Sequence, residues 1–419
     1  SSKNENIIYL SSGWDSTSIL AGLVKIHGPS KVKAVIGRMK YAERSGVINQ
    51  FELDRAKAVA DYFGVKLDIV EFNYWERGPE LLERLGPFMR SNMLASMTLF
   101  NHEILAEYVS AISSGGAVFA GEISDGVHNL GFSQFVTMFH KDLGFREYSD
   151  KMASYLFGPT FLESLEDNKF SDDSVYNLLR DRLTGNIFDE LDYNSNTAAG
   201  HLFASFFLRS NGIPLWSLKN VKILTSEGRE RYTNEMESTY LSRPSADANR
   251  DTLYSWYLHL YNSFHWQSST VATLAATLGK YGLDLSLPFW DSRLQEFLSA
   301  MPESWGRGLD LNPTKYPLKW MLEHCIDYPL HLQVGPHSYI YDVDPSFSHG
   351  AEFMYGSAFT PCFKKRLATR EYKHILSEDI FDLNYIDDVV NKYTQGVESS
   401  GSELNDVMAI NWLMTMGWY

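Results

Sequence analysis

Short apolar runs alternate with helical patterns in the first third of the chain. Between the runs, apolar residues recur every three or four positions, which predicts amphipathic helices that end at Gly28 and at Gly64. Two further helical patterns cover residues 80–90 and 93–113. This alternation predicts an α/β fold, in which crossover helices connect the strands of a parallel sheet. The β-rich runs that we interpret as strands are residues 7–10, 32–36, 67–72 and 117–120.

The remainder of the chain has a different pattern. From residue 139 onward it is mainly helical, rich in aromatic residues and interrupted by polar loops. The tail, residues 380–419, is also helical apart from a polar break at residues 398–402. We therefore expect a parallel-sheet core over residues 1–138 and a large helical region over residues 139–419 that completes the active site.

The composition of the chain limits which classes of protein and which partners are expected. Hydrophobic residues make up 44% and charged residues 21%, which is a globular profile. The 37 basic and 52 acidic residues leave a net charge of −15, so a nucleic acid is not expected as a partner. No run approaches the roughly 18 apolar residues of a membrane span, and no membrane contact is expected. The two cysteines, Cys325 and Cys362, form no CxxC pair, which favours a cytoplasmic location.

A loop of small and polar residues joins the first predicted strand to the first helix. Its sequence, residues 11–17, is Ser-Ser-Gly-Trp-Asp-Ser-Thr. Open α/β sheets bind ligands at the carboxyl ends of their strands, where this loop begins. Small residues let the backbone approach phosphate oxygens closely, and hydroxyl groups and first-turn amides can donate hydrogen bonds to a pyrophosphate. Asp15 supplies the carboxylate that Mg²⁺ prefers. The alternative is an ordinary strand-to-helix turn. The candidate pyrophosphate-binding residues are Ser11, Ser12, Gly13, Ser16 and Thr17.

A second polar segment follows the fourth predicted strand. Residues 120–126 are Ala-Gly-Glu-Ile-Ser-Asp-Gly. Carboxylates at neighbouring strand ends can share a metal ion that bridges phosphate groups. An acidic loop without a metal is the alternative.

The two segments together resemble a known family. Residues 11–17 resemble the SGGxDS[ST] loop of the N-type ATP pyrophosphatases, specifically that of the synthetase domain of class B asparagine synthetases. Residues 121–125 resemble the family's GEGSDE segment, although Ile123 replaces its second glycine. Ser12 also replaces a glycine, so the structure tests whether the backbone there needs a positive φ. Weaker matches follow in the same order at residues 282–291 and 315–322.

The resemblance implies a fold, a cofactor set and a reaction. The fold would be a Rossmann-like sheet of the adenine nucleotide alpha hydrolase type. Family members adenylate a carboxylate with ATP and Mg²⁺, release pyrophosphate, and let ammonia or an amine displace AMP. By carry-over, Asp15 and Asp125 would hold the metal. The nucleotide would lie against Leu10, Ile36 and Gly121.

The resemblance also implies catalytic residues. Glu122 would orient or deprotonate the attacking amine, and because β-lactam-forming relatives carry Tyr at this position, Glu122 favours amide formation. Lys319 aligns with the lysine of the family's KxxLR element, which neutralises charge on the phosphates. Lys315, four residues earlier on the same helical face, is the second candidate for that role.

The substrates stay open at this stage. The acid would be a small-molecule or peptide carboxylate. Residue 1 is Ser where the family's glutaminase domain begins with Cys, so we expect ammonia or an amine from solution, or from a separate glutaminase domain or partner. A catalytically degenerate nucleotide-binding or scaffolding protein is one alternative. A thiolation enzyme of the same superfamily is another, although the net charge of −15 and the missing CxxC pair argue against it.

Overall fold

The computed structural model describes residues 5–94, 96–124, 222–247, 270–300, 315–334 and 344–416, with a few isolated positions between 252 and 267. The chain divides into two compact units. The first comprises Ser1–His128, Trp266–Leu298 and Lys315–Cys362. The second comprises Asn129–His265, Ser299–Thr314 and Phe363–Tyr419. Asp125 and the predicted domain boundary after residue 138 lie outside the described residues.

A five-stranded parallel sheet forms the centre of the first unit. Its order is β3-β2-β1-β4-β5, and every neighbouring pair is parallel. Ile7 of β1 lies between Lys33 of β2 and Val118 of β4, and Ile7 and Ile8 are fully buried. The predicted α/β class with a parallel sheet is thus confirmed. The strands are β1 Asn6–Tyr9, β2 Val32–Met39, β3 Lys66–Phe72, β4 Ala117–Ala120 and β5 Asp284–Ser286.

Helices account for most of the remaining described residues. None of them is both long enough and apolar enough to cross a membrane. Short 3₁₀ turns occupy Pro29–Lys31, Glu43–Ser45, Pro288–Trp290, Leu330–Leu332 and Pro345–Phe347. The α-helices are α1 Trp14–His27, α2 Gln50–Tyr62, α3 Tyr74–Asn92, α4 Leu99–Ile112, α5 Ser226–Met236, α6 Ser242–Asp247, α7 Ala272–Lys280, α8 Ser292–Ser299, α9 Tyr316–His324, α10 His349–Tyr355, α11 Thr360–Ala368, α12 Tyr372–Ile375, α13 Leu383–Gln395 and α14 Gly401–Met416.

The strand order changes direction beside β1. The chain adds β2 and β3 on one side of β1, and then returns to add β4 and β5 on the other side. The loops that follow β1 and β4 therefore leave in different directions. A crevice at the carboxyl ends of the strands forms at such a switch point, where open α/β sheets bind ligands.

The fifth strand was not expected from the sequence. Residues 284–286 pair with β4, so that Phe119 lies opposite Ser286. The sheet therefore uses residues far beyond 138, where the sequence pattern ended the sheet core. A strand of three residues is too short to show an alternating pattern, which explains why it was missed.

Helix α3 begins earlier than the pattern indicated. The Asn73 side chain accepts a hydrogen bond from the Glu76 backbone amide at 3.1 Å and so caps the helix. Pro79 lies inside the helix, where it lacks the amide proton that would donate to the Trp75 carbonyl. The helix ends at Asn92, because Met93 adopts the left-handed conformation with φ 51°.

The second unit contains the predicted helical tail. Asp382 caps α13 by accepting hydrogen bonds from two backbone amides. The expected polar break separates α13 from α14, and Lys392 contacts Glu403 across it at 3.1 Å. The Tyr385 hydroxyl donates to Asp406 at 2.7 Å. The helical prediction for this part of the chain is confirmed.

Candidate functional site

A cavity of about 340 Å³ lies at the carboxyl ends of β1, β2 and β4. Its volume is at the lower end of the range for small-molecule sites, roughly 300–1,000 Å³. All of its lining residues belong to the first unit. The sequence-predicted residues that line it are Leu10, Ser11, Asp15, Ser16, Ile36, Gly121 and Glu122.

The loop between β1 and α1 leaves the start of the helix open. Gly13 is the N-cap residue and provides no side-chain cap. First-turn amides have no acceptor within their own helix, and Gly13 offers no side chain to cap those of α1. The Ser16 hydroxyl instead accepts from the Ser11 backbone amide at 2.9 Å and fixes the loop. The positive end of the helix dipole consequently faces the site, an arrangement that suits an anion.

The end of β4 approaches the start of α1 very closely. A Cβ atom at position 121 would lie 2.8 Å from the Ser16 backbone nitrogen and 3.1 Å from the Asp15 Cβ. Only glycine fits this approach without moving the backbone. Gly121 therefore brings the loop after β4 against the loop after β1.

Asp15 lies at the centre of a polar cluster. The Lys315 Nζ atom contacts its carboxylate oxygens at 2.6 and 2.5 Å. The Ser124 hydroxyl donates to the same carboxylate at 2.6 Å. Lys315 is only 7% exposed, whereas the Asp15 side chain is 21% exposed. The cluster brings together one carboxylate, one ammonium group and one hydroxyl beside the helix start.

The two candidate lysines occupy different places. Lys315 precedes α9 in the left-handed conformation, with φ 57°, and its ammonium group contacts Asp15. The Lys319 ammonium group lies 5.2 Å from the centre of the Trp14 ring. An ammonium group at this distance from an aromatic face is attracted by the ring. The structure thus places Lys315, which was the second candidate, next to the metal-binding candidate.

Ser12 and Thr17 lie beneath the loop. Both are fully buried, and neither lines the cavity. Ser12 has no positive φ, so the serine fits where the family has glycine. The Thr17 hydroxyl donates to the Gly13 carbonyl at 2.7 Å and contacts the Tyr328 hydroxyl at 2.6 Å. The Thr17 hydroxyl therefore stabilises the loop, whereas the buried Ser12 hydroxyl has no hydrogen-bond partner among the described residues.

Tyr328 and Gln333 were not identified from the sequence. The Gln333 amide donates to the Tyr328 hydroxyl at 2.8 Å and to Thr17 at 3.3 Å. The Tyr328 ring stacks on Trp14 with their centres 6.0 Å apart. Burial raises the pKa of the Tyr328 phenol, which therefore stays protonated and available for hydrogen bonding. No sequence motif pointed to these two residues.

Ile123 adopts an unusual backbone conformation. Its φ is 78°, and its side chain is fully buried beside the cavity. A β-branched residue rarely occupies this region, because its side chain crowds the backbone. In the turn around Ile123, the Ser124 hydroxyl contacts Asp15 and Glu122 lines the cavity. The family's glycine occurs at this strained position.

The described residues fit Mg²⁺ that is held mainly by phosphate groups. No group of three or more His, Cys, Asp or Glu residues in the described part of the chain could hold a metal ion alone. Mg²⁺ commonly uses one or two protein carboxylates together with phosphate oxygens and water. Asp15, beside the open helix start, is one such carboxylate, and a metal ion there would have to replace the Lys315 ammonium group that contacts both of its oxygens.

No protein-family model matches the chain, and no curated protein matches it either. The family resemblance therefore depends on the short motifs alone.

Proposed function

We propose that the protein is an ATP-dependent ligase that forms amide bonds. A carboxylate oxygen of the acid attacks the α-phosphorus of ATP, and pyrophosphate leaves. Ammonia or an amine then attacks the acyl carbon, and AMP leaves. The observation that carries this proposal is the position of Asp15, which lines the cavity, belongs to the open first turn of α1 and contacts the buried Lys315 ammonium group.

The charges at this end of the cavity suit a pyrophosphate leaving group. The Lys315 ammonium group and the first-turn amides offset the negative charge that grows on the departing phosphates. Mg²⁺, bound by Asp15, would supply further positive charge at the phosphates. Asp125 remains the proposed second metal ligand. We propose that the Lys319 ammonium group stabilises the position of the Trp14 ring in the first turn of α1.

Glu122 is the proposed base for the amine step. It lines the cavity one residue after Gly121, close to the position proposed for the phosphates. A carboxylate there can hold an ammonium group and accept a proton as the amine attacks. The acid and the nitrogen source are proposed as a small-molecule or peptide carboxylate and ammonia or an amine.

The finer fold assignment belongs to the same proposal. A Rossmann-like sheet of the adenine nucleotide alpha hydrolase type is supported by the strand order, by the switch point beside β1 and by the phosphate-suited loop after β1. A cytoplasmic location is supported by Cys325 and Cys362, which are both free thiols.

Pyrophosphate release tests the proposed function. The wild-type protein is incubated with ATP, Mg²⁺, ammonia and a panel of carboxylic acids, and pyrophosphate is measured. We expect acid-dependent release in the wild type and a loss of at least ~10²-fold in Asp15→Asn, because one preorganised electrostatic contact contributes about this factor. Asp61→Asn, an exposed change in α2, is the control and should retain full activity.

The alternatives give different results in the same assay. A nucleotide-binding scaffold would bind ATP and release no pyrophosphate with any acid. A thiolation enzyme would release pyrophosphate only when a sulfur donor and its acceptor are supplied. Equal pyrophosphate release by the wild type and Asp15→Asn would contradict the assignment of the site.

A further inference from the structure

Two buried polar atoms in the cavity wall have no hydrogen-bond partner among the described residues. They are the Tyr9 hydroxyl and the His102 Nδ1. Both side chains line the cavity, Tyr9 from β1 and His102 from α4. Buried polar groups are nearly always paired, since an unpaired one destabilises the fold. Two such atoms, in side chains that line one cavity, are candidate partners for a polar group of a bound ligand.

The charge of the cavity wall indicates an uncharged ligand group. The lining contains the carboxylates of Asp15, Glu52 and Glu122 and no lysine or arginine. Glu52 is buried and accepts a hydrogen bond from Asn49 at 3.2 Å. Away from Asp15 and the start of α1, a free carboxylate or a phosphate would meet Glu52 with no lysine or arginine in the lining to offset its charge. The acid substrate is therefore not the group that Tyr9 and His102 bind.

The protonation states agree with an uncharged partner. Burial, assisted by the neighbouring His349, lowers the pKa of His102 to about 4, so its ring is neutral near pH 7. Burial also raises the pKa of the Tyr9 phenol, which therefore keeps its proton. A neutral imidazole and a phenol offer one donor or acceptor each to a neutral polar edge.

The shape of the cavity suits a flat ring. A Cβ atom at position 37 would lie 2.2 Å from the Phe72 ring, so the absence of a side chain at Gly37 gives this ring its place beside β2. Both residues line the cavity, together with Val35 and Ile36. Apolar walls of this kind accept the faces of an aromatic heterocycle. Its polar edge then needs hydrogen-bonding partners.

We propose that Tyr9 and His102 are specificity-determining residues that hydrogen-bond the polar edge of the nucleobase. The inference rests on the proposed function, because it takes the ligand to be a nucleotide whose phosphates lie at Asp15 and the start of α1. It adds the two residues that distinguish one base from another.

Calorimetric titration with ATP and Mg²⁺ tests this proposal in Tyr9→Phe and in His102→Leu. Each change removes one hydrogen bond to the base, so we expect ATP affinity to fall about threefold to tenfold. Purine riboside triphosphate, which lacks the 6-amino group, should bind the wild type more weakly than ATP. At least one of the two variants should lose this preference.

Stability provides a second readout in the same proteins. Because Tyr9→Phe removes an unpaired buried hydroxyl, the ligand-free variant should unfold at a higher urea concentration than the wild type. The matched control is Tyr62→Phe, since the exposed Tyr62 hydroxyl donates to Asp327 at 2.8 Å outside the cavity. That control should bind ATP like the wild type.

The outcomes separate this inference from the proposed function. If the wild type binds no nucleotide, the proposed function itself fails. If the wild type binds ATP, and both Tyr9→Phe and His102→Leu bind it with unchanged affinity and unchanged preference over purine riboside triphosphate, the inference is overturned while the proposed function stands. A fall in both the affinity and the ligand-free stability of Tyr9→Phe would also overturn it, because it would assign a structural role to the hydroxyl.

Discussion

Replacing Ile123 by alanine and by glycine separates the strain of its backbone from the burial of its side chain. Both variants lose the same atoms beyond Cβ, so the loss of apolar contacts is nearly the same in the two. They differ in the Cβ atom, which crowds the backbone at φ 78° in the alanine variant and is absent in the glycine variant. Their difference in the free energy of unfolding therefore measures the strain at this position.

The expected magnitude follows from two opposing effects. The left-handed conformation costs an L-residue roughly 1–2 kcal/mol, and glycine removes this cost. Glycine also loses more conformational freedom on folding than alanine, a cost of about 0.5–1 kcal/mol. At position 123 the glycine variant should therefore be more stable than the alanine variant by up to about 1.5 kcal/mol. This order is the reverse of the usual one.

Urea unfolding of the two ligand-free variants measures this difference in the free energy of unfolding. Their unfolding midpoints can be compared directly if their m-values are equal. Val118 in β4 is the matched control, because it is fully buried like Ile123 but has no positive φ. There alanine should be more stable than glycine by about 0.5–1 kcal/mol. If alanine is also the more stable residue at position 123, the reasoning from backbone strain is refuted.

Further predictions concern the lysines, the base and the buried histidines. Lys315→Met should lower pyrophosphate release by at least ~10²-fold, whereas Lys319→Met should stay within a few-fold of the wild type. Glu122→Gln should still release pyrophosphate but form the amide ~10²-fold more slowly, so an unchanged ratio of amide to pyrophosphate would contradict its role. Burial lowers the pKa values of His102 and His349 to about 4, so the unfolded chain binds more protons between pH 4 and 6.5. The urea midpoint should therefore fall as the pH is lowered from 7 to 5, and less so in His102→Leu.

The parallel sheet could be predicted because its first four strands have a strong local signal. The runs of β1, β2 and β4 are largely buried, the edge strand β3 exposes Lys66, Ile69 and Glu71, and helices with clear periodicity separate the four runs. The ligand-binding edge then followed from topology, since the loops after parallel strands meet at one edge. Gly121 and Asp15 were placed together on this basis, and the structure brings them to one cavity.

The features that could not be predicted depend on long-range contacts. β5 consists of three residues and is stabilised by its pairing with β4. Lys315 reaches Asp15 across 300 positions of the sequence, and helical spacing alone could not distinguish it from Lys319. The unpaired atoms of Tyr9 and His102 could not be predicted either, because only the folded structure shows that no hydrogen-bond partner lies near them.

The identity of the nucleotide products tests the central claim most directly. The wild-type protein is incubated with ATP, Mg²⁺, ammonia and the panel of carboxylic acids, and the phosphorus-containing products are followed by ³¹P NMR. We expect AMP and pyrophosphate in equal amounts when an acid is present, and neither product from Asp15→Asn. ADP and inorganic phosphate, or no product with any acid from protein that binds ATP, would contradict it.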